Sequence, residues 1–202
     1  MVFKSKSEIF VADERQALFR NLKDGQLVPI TLDDFYQEVA DVNLLPSVPL
    51  EITSHFDNAR NVLVYSWYAY EMSAVAEHHV YATIEYALKI RLSPLEKKNN
   101  GPGFRHLLQQ AVDCGLISDS GFAIYHARHW QTERTPKKQA SINFADDQIR
   151  CRILIETLPT LRNSLAHGSN YLNTPSNALM TFELARDLIN QLFQPEETSP
   201  QT

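Results

Sequence analysis

The stretch Leu158-Pro159-Thr160-Leu161-Arg162-Asn163-Ser164-Leu165-Ala166-His167-Gly168 decides how the rest of the chain is read. Leu158, Leu161 and Leu165 recur at three- and four-residue spacing, which predicts a buried helical turn with a core-facing stripe. Arg162, Asn163 and His167 are woven between those leucines, and Gly168 closes the run where a helix C-cap is expected. Polar groups on a helix this apolar need partners or a task.

Working backwards, the apolar face extends through Ile149, Ile153 and Leu154, and Asp146 or Asp147 is the expected helix start. Pro159 inside that pattern predicts a kink or a second segment beginning there. Working forwards, Thr174-Pro175 supplies an N-cap and an N1 proline for a last amphipathic helix ending near Phe193. Residues 195–202 read as a frayed tail.

Further upstream, Ser54 to Leu92 contains neither Gly nor Pro and carries apolar residues throughout, predicting one long helix or two joined by a kink. Its segment from Val62 to Tyr70 is apolar nearly all round and is expected at the centre of the bundle. Phe104 to Cys114 predicts a short helix ended by Gly115. Ser118-Asp119-Ser120 predicts the cap of another, running from Gly121 to Arg134. Lys97-Lys98-Asn99-Asn100-Gly101-Pro102-Gly103 and Thr135-Pro136-Lys137-Lys138 are loops by composition. Residues 1–52 form a mixed N-terminal extension. Ser7–Val11 and Gln26–Ile30 are expected there as edge strands, with one helix from a Thr31 cap to about Val42. The expected architecture is mainly α: an antiparallel helical bundle over residues 53–194, with a small extension that includes short β-strands.

The totals fit one soluble domain. Apolar residues make up 44% and charged residues 21%, so disorder and collagen-like structure are excluded. No apolar run approaches a membrane span, and the N-terminus lacks a signal-peptide core. Cys114 and Cys151 are too few for a disulfide framework, which points to a reducing, cytoplasmic setting. A net charge of −5 argues against nonspecific coating of duplex DNA, since phosphate neutralisation supplies that affinity. It leaves room for a small site where a few cations meet one RNA phosphate.

Leu161-Arg162-Asn163-Ser164-Leu165-Ala166-His167-Gly168 resembles the signature of HEPN domains: an arginine, often followed at once by a polar residue, with a histidine four to six positions on. Ala59–Tyr68 and Ala82–Arg91 are similar to the long central helices of proteins that carry it, and the resemblance covers residues 54–193. It implies an all-helical bundle, commonly a homodimer in which the signature helices of two protomers form one composite cleft. Many members are metal-independent endoribonucleases in toxin or defence systems, often with an antitoxin or regulatory partner. Others are inactive modules that bind RNA or protein. The implied catalytic residues are Arg162, Asn163 and His167, with RNA as the partner, no cofactor and no membrane. Glu85 is implied as an orienting group. Some members carry a modified tyrosine two residues after the histidine; this chain has Ser169 there, and Tyr171 lies further on.

The residue types suit that chemistry. Cleaving RNA without a metal needs a base for the 2′-hydroxyl proton and a cation for charge gathering on the phosphate. Imidazole, with a reference pKa of about 6.5, suits the first role, and the planar guanidinium fork suits the second. Asn163 can orient the phosphate or hold an imidazole nitrogen. Positions five apart on a helix differ by about 140°, so a cleft shared by two copies gathers these groups more easily than one helix does.

A structural role accounts for the same residues: Arg162 pairing with a core carboxylate such as Glu85, and His167 bonding the last helix carbonyls. Two other readings stand beside these, a silent helical module and a ligand sensor built on the aromatic-rich Tyr65, Trp67, Tyr68 and Tyr70. Glu77-His78-His79 and His126 with His129 carry a metal reading, without companion ligands at zinc spacing. Trp130 and those aromatics can stack bases, but helical spacing favours core. Lys97-Lys98 and Arg134 with Lys137-Lys138 read as solvated loop charge that can steer RNA.

Overall fold

A computed structural model describes residues 3–92, 103–123, 148–168 and 174–195. The chain opens with a hairpin, β1 (Arg20–Lys23) and β2 (Gln26–Pro29), antiparallel and in register from Arg20 opposite Pro29 to Lys23 opposite Gln26. Asp24 and Gly25 form its turn with φ of 51° and 76°, the left-handed pair that matches the twist of a two-residue hairpin. The strand expected at Ser7–Val11 is absent. A 3₁₀ turn spans Lys6–Glu8, where the Glu8 carboxylate accepts from both the backbone N–H and the hydroxyl of Ser5, and Phe10 lies 76% exposed.

Six α-helices follow among the described residues: α1 (Leu32–Ala40), α2 (Leu50–Tyr65), α3 (Met72–Leu92), α4 (Phe104–Asp113), α5 (Ile149–Ala166) and α6 (Pro175–Leu192). Thr31 caps α1 as expected. Its hydroxyl accepts from the Asp34 N–H at 3.1 Å, and the Asp34 carboxylate accepts in return from the Thr31 N–H at 3.1 Å. Lys23 reaches the same carboxylate at 2.6 Å and ties the hairpin to the helix start. Thr174 caps α6 through the Asn177 N–H, with Pro175 at the first helical position.

The uninterrupted run from Ser54 to Leu92 is two helices. The first starts at Leu50 after Pro49, and the break covers residues 66–71. The reason lies in the N-terminal extension. The Trp67 carbonyl accepts from the Asp13 N–H at 2.9 Å, the Ser66 carbonyl accepts from the Gln16 amide at 3.2 Å, and the Tyr70 N–H donates to the Asp13 carboxylate at 3.4 Å. Backbone groups that leave the helical ladder thus find partners instead of being buried unsatisfied. Arg15 locks the junction. It donates to both Asp13 oxygens at 2.8 and 2.9 Å, pairs with Glu71 at 2.9 Å and lies 4.3 Å over the Tyr70 ring. This hydrogen bonding holds the Asp13 carboxyl down at about 2. The segment expected at the bundle centre is therefore its corner, with Trp67 and Tyr70 buried and Tyr65 55% exposed.

Helix α3 is the central element, packed by α2, α4, α5 and α6. Ala76, Val80, Ile84, Ala87, Leu88 and Leu92 give it a wholly buried stripe. Phe56 of α2 and Phe182 of α6 meet with ring centroids 5.7 Å apart, and Phe35 and Val39 of α1 join the same core.

Helix α5 runs through Pro159 without a second segment starting there. The hydroxyls of Thr157 and Thr160 donate back to the carbonyls of Ile153 and Glu156 in the turns flanking the proline. The expected caps Asp146 and Asp147 lie outside the described residues, as do positions 124–134 of the helix expected after Gly121. Asp119, expected to cap that helix, instead caps α5 from a 3₁₀ turn at Asp119–Gly121. Its two oxygens accept from the Arg150 and Cys151 N–H groups, each at 2.8 Å, and it is only 4% exposed. Of the tail 195–202, residues 196–202 lie outside the described residues.

Candidate functional site

The core ends at Pro159 but the helix does not. Leu158 is 1% exposed, whereas no residue from Thr160 to Gly168 is buried. Leu161 is 37% exposed, and Leu165 alone of the two packs partly on the core. The buried turn expected here is thus the solvent-facing end of α5. Above Pro159 the apolar stripe thins to Leu165, which packs partly on the core, while Arg162 keeps the helix in contact with α3 through Glu85.

Arg162 faces α3. Its Nη2 donates to Glu85 Oε2 at 2.8 Å, and its Nη1 donates to Asn163 Oδ1 at 3.0 Å. Glu85 also accepts from Lys89 at 2.7 Å, so one carboxylate lies between two cations. The side chain of Glu85 is 12% exposed and that of Arg162 is 35% exposed. Arg162 Nε is buried with no hydrogen-bond partner among the described residues. The pairing of Arg162 with Glu85 anticipated from the sequence is present. The expected capping by the His167 side chain is not. At the C-cap the backbone N–H of His167 donates to the Asn163 carbonyl at 3.0 Å, and its exposed imidazole makes no hydrogen bond or ion pair among the described residues.

Thr160, Asn163, Ser164 and His167, at helical spacing, line an open groove that Gly168 closes. Gly168 has φ +73°, and a Cβ there would meet nothing within 4 Å, so its glycine serves the left-handed cap and not a close approach. Arg162 does not line this groove, but its Nη1 donates to Asn163, which does.

The other sequence candidates divide. Glu77 accepts from the Thr181 hydroxyl at 2.8 Å inside the α3–α6 interface. His79 meets His55 of α2 with ring centroids 5.8 Å apart, and His55 meets Tyr86 at 5.1 Å. Burial, reinforced by His55 and His78, pushes the His79 pKa down. Spacing along the chain gave no sign of this cluster, because its members come from two helices. Among the described residues no group of three or more His, Cys, Asp or Glu is arranged to hold a metal. Trp67 stacks on Phe35, Tyr70 on Phe19, and Tyr68 meets Phe10 edge-on, so these aromatics serve the corner and the extension. His126, His129, Trp130, Arg134, Lys137, Lys138, Lys97, Lys98, Ser169 and Tyr171 lie outside the described residues.

No protein-family model matches this chain, and searches of curated proteins and of solved structures return no match. No helix among the described residues is long and apolar enough to cross a membrane.

Proposed function

We propose that the chain is a metal-independent endoribonuclease of HEPN type, working as a homodimer with RNA as substrate. The observation that carries the reading is the placement of its signature: Arg162, Asn163 and His167 stand at the exposed end of α5, with the imidazole open to solvent and the guanidinium fixed by Glu85. In the reaction, neutral His167 takes the proton from a ribose 2′-hydroxyl. The 2′-oxygen attacks the adjacent phosphorus, and the bond to the 5′-oxygen breaks. The products are a 2′,3′-cyclic phosphate and a 5′-hydroxyl, whose proton comes from an imidazolium or from water. Arg162 meets the charge gathering on the non-bridging oxygens, aided by Lys89, which shares the Glu85 carboxylate. Glu85 acts as a positioning residue. Because positions five apart on a helix differ by about 140°, the cleft is completed by the second copy's signature turn. Treating varied RNAs with purified protein in excess chelator tests this: cyclic-phosphate ends are expected from the wild type and not from His167→Ala or Arg162→Ala.

One observation favours a second reading, a catalytically silent module that binds RNA or a protein partner. Glu85 already satisfies part of the Arg162 fork inside the monomer, which a purely structural arginine would also need. Under that reading Arg162→Ala lowers stability and leaves RNA uncut by either protein.

A further inference from the structure

The corner between α2 and α3 is built without the residues that ordinarily make one. No glycine or proline lies between Ser54 and Leu92, and no residue of the corner has a positive φ. Ser66, where α2 ends, still has helical angles, φ −62° and ψ −16°. A ladder running straight through the corner would pair the Tyr70 N–H with the Ser66 carbonyl and the Glu71 N–H with the Trp67 carbonyl. In the folded corner the extension takes those places. The Ser66 carbonyl accepts from the Gln16 amide, the Trp67 carbonyl accepts from the Asp13 N–H, and the Tyr70 N–H donates to the Asp13 carboxylate. Ser66, Trp67 and Tyr70 are all buried, so losing Asp13 and Gln16 would leave these backbone groups unsatisfied in the bend and satisfied in a straight helix.

We propose that residues 13–16 are a latch whose release lets residues 50–92 become one helix, so that α2 leaves its own α3 and is exchanged with a second copy. Ile52, Phe56, Ala59 and Leu63 of α2 are wholly buried, and an opened single chain would give them up to water. A pair avoids that loss. Two straight helices set antiparallel about a twofold axis at the corner restore the α2–α3 packing in both halves, each α2 lying on the other copy's α3. The sequence favours the straight form and the latch favours the bend, which makes the extension the element that chooses between them. This exchange is independent of the ribonuclease reading.

The full chain carrying His55→Cys and His79→Cys reads which copy α2 lies on, with Cys114→Ser removing the exposed native thiol. The His55 and His79 ring centroids are 5.8 Å apart, so a short bis-maleimide joins cysteines at these positions wherever α2 packs on α3. Denaturing electrophoresis then shows whether one chain or two are joined. With the latch intact the crosslink is expected within one chain, whatever dimer forms at α5. Asp13→Ala with Gln16→Ala should make the two-chain product the major one. Gln16→Ala alone, which keeps Asp13 and Arg15 in place, should raise it partway. Adding Glu71→Pro suits the first turn of α3 but blocks a ladder through the corner, and should return the crosslink to one chain. Latch variants that crosslink within one chain as the intact protein does, with or without a lower melting temperature, would overturn the proposal. So would a two-chain product that persists with Glu71→Pro.

Discussion

His167 and Arg162 stand five positions apart and meet different surroundings, and the difference sets what each substitution does. His167 is exposed and its side chain supports nothing in the monomer, so His167→Ala should shift stability by less than about 0.5 kcal/mol. The same change should slow RNA cleavage by on the order of 10²–10⁴-fold, the usual worth of a positioned base; parallel melting curves and cleavage rates check both halves. Asp13 is the residue with the clearest pH signature. Its carboxyl is held at about 2 by Arg15, below its ordinary value of 3.8. A carboxyl depressed in the folded state contributes stability above the unfolded pKa and loses it as pH falls through the folded one. The stability difference between wild type and Asp13→Asn should therefore be about 1–2 kcal/mol at pH 7 and vanish between pH 4 and 2, as read by urea melts across that range. The Arg162–Glu85 pair was legible because an arginine among leucines on a helix calls for a carboxylate and α3 offers few. The Asp13–Arg15–Tyr70 lock was not, because nothing local marks a partner more than fifty positions away.

At the scale of elements, the ends of helices were easier to read than their middles. Thr31 and Thr174 announce α1 and α6, since a cap is a local hydrogen bond between residues three apart. The break between α2 and α3 had no local mark. It exists because the extension satisfies the freed backbone groups of residues 66–70, a tertiary cause that periodicity cannot register. The hairpin is half legible: Gln26–Pro29 reads as a strand, while its partner Arg20–Lys23 is polar and is marked only by the Asp24-Gly25 turn that joins the two. Asp119 shows the same limit, capping α5 from thirty residues upstream. Asp119→Ala would leave the Arg150 and Cys151 N–H groups without their acceptor and should cost about 2–3 kcal/mol. Next to it, Gly121→Ala would set a Cβ 2.0 Å from Cδ of Gln191. Gln191 would have to move and give up its 2.9 Å bond from the Ser118 N–H, a further loss of about 1 kcal/mol. Chemical denaturation of both variants measures these effects directly.

At the scale of the molecule, hydrophobic periodicity marks the chain as mainly helical, but it puts the centre at Val62–Tyr70, which is the corner, whereas the helix that the others pack against is α3. Where that bundle stops was hidden. Leu161 continues the apolar spacing of Leu154 and Leu158, yet it is 37% exposed, and of the turns above Pro159 only Leu165 and the Arg162–Glu85 pair keep hold of the core. On the proposed homodimer, this exposed, partly apolar helix end, whose imidazole makes no hydrogen bond among the described residues, is the surface for the second copy. The protein should therefore sediment as a dimer, and Leu161→Glu should shift it towards monomer at micromolar concentration while leaving the fold intact. The central claim is that this exposed turn cuts RNA. The most direct measurement is the chemistry of the ends left on RNA after incubation with purified protein in excess chelator. Wild type is predicted to leave 2′,3′-cyclic phosphates and 5′-hydroxyls, with the activity lost in His167→Ala. RNA recovered intact, or cut equally by wild type and His167→Ala, would contradict the account.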